Sequence, residues 1–263
     1  MTGLIFLKLG GSLITDKTQP YVPRLDKLND LCREIVPAAS SLQLILGHGS
    51  GSFGHTAASE YGTRQGVRDA QGWRGFTEVH FQATRLNSHV MQALKDAGIP
   101  ALAFPPSALV VARDGQVSIW ETTPLRRALA NGIIPVVFGD VVFDRVRGGT
   151  ILSTEDLFQH LALQLGPKRI LLAGLEEGVW ADFPSRTSLV RELTPAMFAD
   201  MHAGVGAAAG IDVTGGMDSK VRQMLDLVRA VPGLEVTIFS AQEPGNLARA
   251  LQGEPLGTRI SEG

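Results

Sequence analysis

Two lysines stand where an ammonium group is unfavourable without an anion beside it. Lys8 interrupts the apolar run "LIFLKL", which predicts a buried strand. A buried ammonium needs a carboxylate or a bound anion; alternatively, Lys8 ends the strand and extends its amine to water. Lys220 follows "DVTGGMDS" at the predicted start of a helix, where the helix dipole disfavours a cation unless an anion shares the position. Lys17, in "LITDK", is by itself an ordinary surface lysine.

A glycine-rich segment, "GHGSGSFGH" at residues 47–55, follows the apolar run "LQLIL". Gly49, Gly51 and Gly54 have the spacing of a dinucleotide-binding turn, but that motif also needs a strand that ends in an acidic residue about 20 positions later. Asp69, the candidate acid, lies in a polar segment without a strand pattern. The P-loop, protein kinase and hydrolase-elbow motifs are missing from the sequence.

Two interpretations of this segment remain, a tight turn without a ligand and an anion cradle. Small residues allow backbone N–H groups at a helix start to converge on phosphate oxygens, and the helix dipole adds to the attraction. Gly10, Gly11 and Ser12 repeat the arrangement after the first predicted strand. Neighbouring parallel strands open into the same crevice, so we expect the two turns to share one phosphate site.

The elements that must position these turns alternate between strand and helix patterns, which predicts an α/β fold with a mainly parallel sheet. One helix is predicted over residues 24–36 and ends at Pro37; residues 56–75 read as a long polar connection and another helix covers 76–97. Further helices are predicted in 122–131, "EDLFQHLALQLG" and "GGMDSKVRQMLDLVRAV", and further strands in "GIPALAF", "GQVSIW", "GIIPVVFGD", "KRILLAG" and "EVTIFS".

Composition excludes several classes of partner. The net charge is -2 without a basic block, so we expect no nucleic acid. The apolar runs are short or broken by proline, well below the roughly 20 residues that span a bilayer, so we expect no membrane. Cys32 is the only cysteine and cannot form an internal disulfide. With no basic segment before the first apolar run, the sequence predicts a cytoplasmic protein.

Four segments, in order, resemble the motifs of the amino acid kinase superfamily: "KLGGSLITDK", "GSGSFGH", "GD" at 139–140, and "DVTGGMDSK". The first and last mark the superfamily. Lys17 and His55 mark the branch of isopentenyl phosphate and fosfomycin kinases. The resemblance spans nearly the whole chain and implies a three-layer αβα sandwich with a mainly parallel central sheet, the carbamate kinase-like fold.

The resemblance also implies roles for individual residues. Lys17 would stabilise the transferring group, and Lys8, His55 and Lys220 would act with it in catalysis. The acceptor phosphate would be held by Ser50, His55 and Gly139. ATP would contact Lys8, Leu9, Gly10, Gly11, Ser12, Gly51, Gly216 and Lys220, with Asp156 as a further candidate for an ATP-side or lysine-orienting contact.

These residue types suit phosphoryl transfer, in which a protein aligns two anions and neutralises charge on the moving phosphoryl group. The resemblance implies ATP and Mg²⁺ as cofactors, a homodimer, and one domain whose residues 1–150 bind the acceptor and 151–263 the nucleotide. The implied reaction converts isopentenyl phosphate to isopentenyl diphosphate. Alternatives are a phosphonate acceptor such as fosfomycin, another small phosphate monoester, or a nucleotide-binding regulator without turnover. The last is disfavoured because Lys8, Lys17, His55 and Lys220 are all present.

Overall fold

The computed structural model describes residues 3–203 and 217–263. None of the helices in these two ranges is both long enough and apolar enough to cross a membrane. The helices are α1 (Gly11–Ile14), α2 (Leu25–Ala39), α3 (Gly51–Tyr61), α4 (Ala70–Asp96), α5 (Pro106–Leu109), α6 (Thr123–Ala130), α7 (Thr154–Leu165), α8 (Pro195–Ala203), α9 (Met217–Ala230) and α10 (Asn246–Gln252), with a 3₁₀ turn at Thr63–Gln65.

The strands of the described residues form one large sheet, one small sheet and a short ribbon. They are β1 (Ile5–Leu9), β2 (Leu44–His48), β3 (Ala101–Ala103), β4 (Val110–Arg113), β5 (Gln116–Trp120), β6 (Ile134–Phe138), β7 (Asp140–Asp144), β8 (Gly148–Leu152), β9 (Arg169–Gly174), β10 (Val179–Trp180), β11 (Leu189–Val190), β12 (Glu192–Leu193), β13 (Glu235–Ser240) and β14 (Thr258–Ile260).

The large sheet has eight strands in the order β12-β14-β13-β9-β1-β2-β6-β3. Its pairings are parallel except for β13 with β14, which confirms the predicted mainly parallel sheet. The carboxyl ends of β9, β1, β2 and β6 therefore lie side by side at one edge. The sheet topology thus brings both glycine-rich turns, which follow β1 and β2, to a single edge.

Helices cover both faces of this sheet, because successive side chains of a buried strand point to opposite faces. Phe6 packs in a core with Phe158 of α7 and residues of α9. Leu7 and Leu9 face the other way, into a core with residues of α2, α4 and α10. These two cores give the predicted three layers, and they place the Lys8 side chain on the same face as α7.

The small sheet, in the order β5-β4-β7-β8, was not anticipated from the sequence. The predicted strand "GQVSIW" is correct as β5, but it pairs antiparallel with β4 in this sheet. β7 and β8 form an antiparallel hairpin over residues 140–152. Asp144 closes the hairpin turn, because its carboxylate accepts backbone N–H groups from Asp114, Gly115, Val146 and Arg147.

Two predicted boundaries are wrong. α2 continues past Pro37 to Ala39, because a proline near a helix end loses one backbone hydrogen bond while its fixed φ remains helical. Residues 56–75 are mainly helical: they comprise the end of α3, the 3₁₀ turn and the beginning of α4. Small residues conceal α3 in the sequence, since Gly54, Ala57 and Ala58 give it little amphipathic character.

Candidate active site

The two glycine-rich turns contact each other through their backbones. The Gly49 N–H donates to the Leu9 carbonyl at 3.0 Å. A Cβ on Gly11 would overlap the Gly51 nitrogen, and Gly51 has a φ of +49°, which L side chains rarely adopt. Glycine is therefore required at both positions, and the structure brings the turns together as the sequence predicts.

Lys8 forms an ion pair with Glu155, the second residue of α7. Their side chains are only 12% and 11% exposed. Burial alone would raise the pKa of Glu155, but the positive charges of Lys8 and Lys220 and the hydrogen bond from Lys8 outweigh it and lower the pKa to about 2. Glu155 is thus the carboxylate that the buried Lys8 requires.

Two cavities meet at this ion pair. Cavity A, of about 180 Å³, lies between α3, α4 and the β7–β8 hairpin, and cavity B, of about 70 Å³, lies against the ends of β1 and β9. Lys8 and Glu155 line both. Cavity B is also lined by Gly10, Gly174 and Lys220, and cavity A by Gly49, Ser50, Gly54 and Gly139.

Lys220 lies beside cavity B on α9, opposite Lys8. Its charge acts on Glu155, which shows that the two lysines share this carboxylate as an electrostatic partner. The structure therefore brings together two of the three predicted catalytic lysines. It places them around a buried anion, where they can neutralise charge on a phosphate chain.

Part of the wall of cavity A is apolar. It consists of Ala58, Val79, Ile151 and Leu152, and Phe76 packs in one cluster with Val79, Ala57, Val67 and Val141. Two other apolar residues of α4 point away from cavity A: Phe81 is 57% exposed, and Leu86 is buried in the core under α2. The helical phase explains the difference, because only one face of α4 meets the hairpin.

A family model described as the amino acid kinase family matches residues 3–240. The chain is 38% identical to the isopentenyl phosphate kinase of Methanothermobacter thermautotrophicus, with 98% of this chain and 99% of that protein aligned. The chain belongs to the isopentenyl phosphate kinases of the amino acid kinase family. Its identity to the Haloferax volcanii isopentenyl phosphate kinase is 36%, over 98% of each chain.

Solved structures of isopentenyl phosphate kinases have the same fold. One X-ray structure of an isopentenyl phosphate kinase is 34% identical to this chain with a TM-score of 0.82, and the match covers 98% of this chain and all of that one. A product complex of the Thermoplasma acidophilum enzyme is 25% identical with a TM-score of 0.78, over 98% of this chain and 99% of its own. The predicted fold class is confirmed.

Asp156, predicted as an ATP-side or lysine-orienting contact, caps a helix in this structure and does not contact Lys8. Its carboxylate accepts from the Ser153 N–H at 2.8 Å while its own N–H donates to the Ser153 hydroxyl, so the two residues form a capping box at the start of α7. Glu155 orients Lys8 instead. The spacing S-x-x-D in "STED" could have identified Asp156 as the capping residue and left Glu155 for the lysines.

The remaining predicted residues of this kinase divide into three groups. Leu9 has a fully buried side chain, so only its backbone can contact a ligand. Lys17 lies in an exposed turn, and the described residues give its amine no ion-pair partner. His55 lies in α3, but its side chain is outside the described part, and Gly216 lies outside the described residues altogether.

His48, which ends β2, was not anticipated as a site residue. Its ring is fully buried, lies 3.2 Å from both the Gly49 carbonyl and the Asn87 amide oxygen, and stacks on Phe138. Burial lowers the pKa of His48 to about 4, against the two hydrogen bonds. Its own carbonyl accepts from the Thr154 hydroxyl at 2.6 Å, so His48, near the start of the glycine-rich segment, joins β2 to α4 and α7.

Gly139 and its neighbour Asp140 connect the large sheet to the hairpin. The Gly139 N–H donates to the His48 carbonyl at 3.3 Å. The Asp140 carboxylate is fully buried and lies 3.1 Å from Nδ1 of His80. The hydrogen bond to Asp140 raises the pKa of His80. This pair holds α4 against the hairpin one residue beyond Val79 and Gly139, both of which line cavity A.

Proposed function

We propose that this protein transfers the terminal phosphoryl group of ATP to isopentenyl phosphate and produces isopentenyl diphosphate. The observation that carries the proposal is the Lys8–Glu155 pair between two cavities. A phosphoryl group that passes between an acceptor in cavity A and a nucleotide beside cavity B would move past Lys8 and Lys220. The family membership established above supports the same reaction.

The chemistry requires charge neutralisation more than proton transfer. An oxygen of the acceptor phosphate attacks the terminal phosphorus of ATP, and the bond from that phosphorus to the bridging oxygen breaks, which leaves ADP. The acceptor phosphate is already ionised near neutral pH, so the reaction needs no strong base. Lys8, Lys17 and Lys220 would offset the developing charge, and His55 would donate a hydrogen bond to the acceptor phosphate.

The apolar part of the wall of cavity A supports a short hydrocarbon tail on the acceptor. The whole cavity has a volume of about 180 Å³, which is below the roughly 300–1,000 Å³ of pockets for drug-sized ligands. The four aliphatic residues that line it offer no hydrogen bond to a polar tail. A five-carbon chain matches this lining better than the short polar epoxide of a phosphonate such as fosfomycin.

Mg²⁺ would accompany ATP in this proposal. Among the described residues, no three His, Cys, Asp or Glu side chains form a group suited to a metal ion. Mg²⁺ would then be held mainly by phosphate oxygens and water, as is usual for this ion in kinases. When bound, Mg²⁺ would neutralise charge on the nucleotide phosphates.

The two cavities also support a division of labour along the chain. Cavity A takes most of its lining from residues before 150, and cavity B from residues after it. We therefore propose an acceptor-binding part over 1–150 and a nucleotide-binding part over 151–263. Cys32 is buried and unpaired, which supports a reducing, cytoplasmic compartment.

A homodimer is the proposed assembly. β3 is an edge strand of the large sheet, and its Leu102 is 50% exposed. A groove of about 620 Å³ lies beside this strand, between it and α4. An unpaired edge with an exposed leucine suits pairing with a second chain. Light scattering on the purified protein and on Leu102→Glu tests this assembly, because the variant should then run as a monomer.

Incubation with Mg-ATP and isopentenyl phosphate tests the reaction, with the product identified by mass and ADP followed in parallel. A diphosphate product at low acceptor concentration is the expected result. If turnover occurs only with fosfomycin or with a monophosphate other than isopentenyl phosphate, the proposed mechanism stands and the proposed acceptor is wrong. Binding of ATP without turnover on any acceptor would identify a nucleotide-binding regulator.

A further inference from the structure

Arg64 is a charged residue of cavity A that the proposed function does not use. The charged residues that line cavity A in the described chain are Lys8, Glu155 and Arg64. Lys8 and Glu155 neutralise each other. Arg64 is the remaining charged lining residue, and its ion-pair partner, Asp156, is not among the residues that line the cavity.

The backbone of Arg64 is hydrogen-bonded to the hairpin, whereas its side chain is exposed and makes one long ion pair. The Arg64 carbonyl accepts from the Thr150 hydroxyl at 3.0 Å and from the Arg147 guanidinium at 3.4 Å, so the 3₁₀ turn is attached to the hairpin. The Arg64 side chain is 60% exposed and reaches Asp156 at 3.4 Å. That distance is well beyond the roughly 2.7–2.9 Å of a strong charge-assisted hydrogen bond.

Asp156 does not depend on Arg64. Its carboxylate also accepts from the Ser153 N–H at 2.8 Å and from the Gln223 side-chain amide at 3.1 Å. Exposed ion pairs contribute little, because water screens them. Separation of Arg64 from Asp156 is therefore inexpensive, and both groups remain solvated or hydrogen-bonded afterwards.

We propose that Arg64 binds the acceptor phosphate and that Asp156 is its partner only while the acceptor is absent. This inference rests on the proposed function. A planar guanidinium can give two parallel hydrogen bonds to a phosphate. Arg64 would thus bind the acceptor phosphate from the outer wall of cavity A, while the glycine-rich turns contact it from the inner wall. The corresponding alcohol, which lacks the phosphate, would gain nothing from Arg64.

Steady-state kinetics of Arg64→Gln, Arg64→Lys and Arg145→Gln test the proposal. Arg145 lies exposed in the turn between β7 and β8 and does not line cavity A, so its variant removes the same charge from the same region. Arg64→Gln should raise the KM for isopentenyl phosphate at least about tenfold, as loss of a charged hydrogen bond predicts. Arg64→Lys should raise it less, and Arg145→Gln should leave it unchanged, with the KM for ATP constant throughout.

Asp156→Asn separates a binding role from a structural one. The amide keeps an acceptor for the Ser153 N–H but no longer attracts the guanidinium, so the KM for the acceptor should fall. A rise equal to that of Arg64→Gln would show that the pair only holds α7 against the 3₁₀ turn, and would overturn the proposal. Equal acceptor KM values for Arg64→Gln and Arg145→Gln would overturn it as well.

A direct binding measurement keeps this inference separate from the proposed function. If the wild-type protein does not turn over isopentenyl phosphate, the proposed function fails. Calorimetric titration with inorganic phosphate then tests Arg64 alone. Weaker phosphate binding by Arg64→Gln than by Arg145→Gln supports the assignment, and equal binding by the two variants overturns it.

Discussion

Lys8 and Glu155 form an ion pair that is the common wall of cavity A and cavity B. The carboxylate lies at the start of α7 and the ammonium in β1, so the pair joins the sheet to the helix layer above it. Lys220 acts on the same carboxylate from α9. One acidic side chain therefore pairs with Lys8 and lies within electrostatic reach of Lys220.

Glu155→Gln should reduce both stability and turnover. Breaking a buried pair typically costs about 3–5 kcal/mol, because the remaining charge stays buried without its partner. Loss of the orientation of Lys8 should lower kcat about a hundredfold, the scale on which such electrostatic contacts act. Denaturant unfolding and steady-state kinetics measure the two effects. Exposed Glu243 provides the control, since Glu243→Gln should change neither quantity.

Protonation of Glu155 should lower the stability of the folded protein at acid pH. The pKa of Glu155 is about 2 in the folded protein, against an ordinary value of 4.5. Its contribution is therefore complete above about pH 4.5 and is lost as the pH falls toward 2. The stability difference between wild type and Glu155→Gln should shrink between pH 5 and pH 2.5. A constant difference over that range would contradict the ionised state of Glu155.

His48 should make stability depend on pH at a higher range. Burial lowers its pKa from 6.5 to about 4. Between these pH values His48 is protonated in the unfolded chain and neutral in the folded protein. Stability is then full above pH 6.5 and falls as the pH drops to 4, by up to about 3 kcal/mol at roughly 1.4 kcal/mol per pKa unit. His48→Gln should show a shallower decline between these pH values. An equal slope would mean that other groups cause it.

His55→Ala should abolish most transfer while ATP binding stays nearly intact, because the side chain is proposed to donate to the acceptor phosphate. Calorimetry with a nonhydrolysable ATP analogue and kinetics with isopentenyl phosphate separate the two effects. His160 on α7 lies outside both cavities and gives a matched control. Equal loss of nucleotide and acceptor affinity would place His55 on the nucleotide side.

Lys17→Ala should lower kcat more than it raises either KM, since a group that acts mainly in the transition state contributes little to ground-state binding. Lys168, which is exposed like Lys17, serves as the control. A change confined to KM would assign Lys17 to ground-state binding.

Val79→Phe should raise the KM for isopentenyl phosphate, because Val79 is 2% exposed and belongs to the apolar part of the wall of cavity A. A larger side chain occupies the volume proposed for the hydrocarbon tail. Kinetics with methyl phosphate as a comparison acceptor distinguish an effect on binding of the hydrocarbon tail from an effect on binding of the phosphate group. An equal rise for both acceptors would show that the substitution disturbs the phosphate site instead.

Sequence patterns predicted the parts of this molecule that backbone geometry dictates. The two glycine-rich turns were predictable, since glycine is required where two backbones touch, as Gly11 and Gly51 do. The buried β1 and its need for an anion at Lys8 were predictable from one charge in an apolar run. The identity of the carboxylate that pairs with Lys8 was not predictable. Glu155 and Asp156 are adjacent acids, and they differ only in which side of α7 they face.

The small sheet, in which β4 and β7 pair in parallel, and α3 were missed because their hydrophobic patterns are weak. In β7, Val141 and Val142 are both buried while Phe143 is exposed, so the strand lacks the alternation that identifies a half-buried strand. His48 was missed because nothing local marks its environment. Its environment includes Asn87 and Phe138, which the fold brings to it from 39 and 90 residues away.

The buried Cys32 has a practical consequence. Burial raises the pKa of its thiol to about 12, so at neutral pH it is almost entirely protonated and inaccessible to maleimide reagents. Since it is the only cysteine in the sequence, a cysteine introduced in the exposed turn at residue 145 would take up a fluorescent dye alone. Movement of the β7–β8 hairpin during turnover can therefore be followed in otherwise wild-type protein.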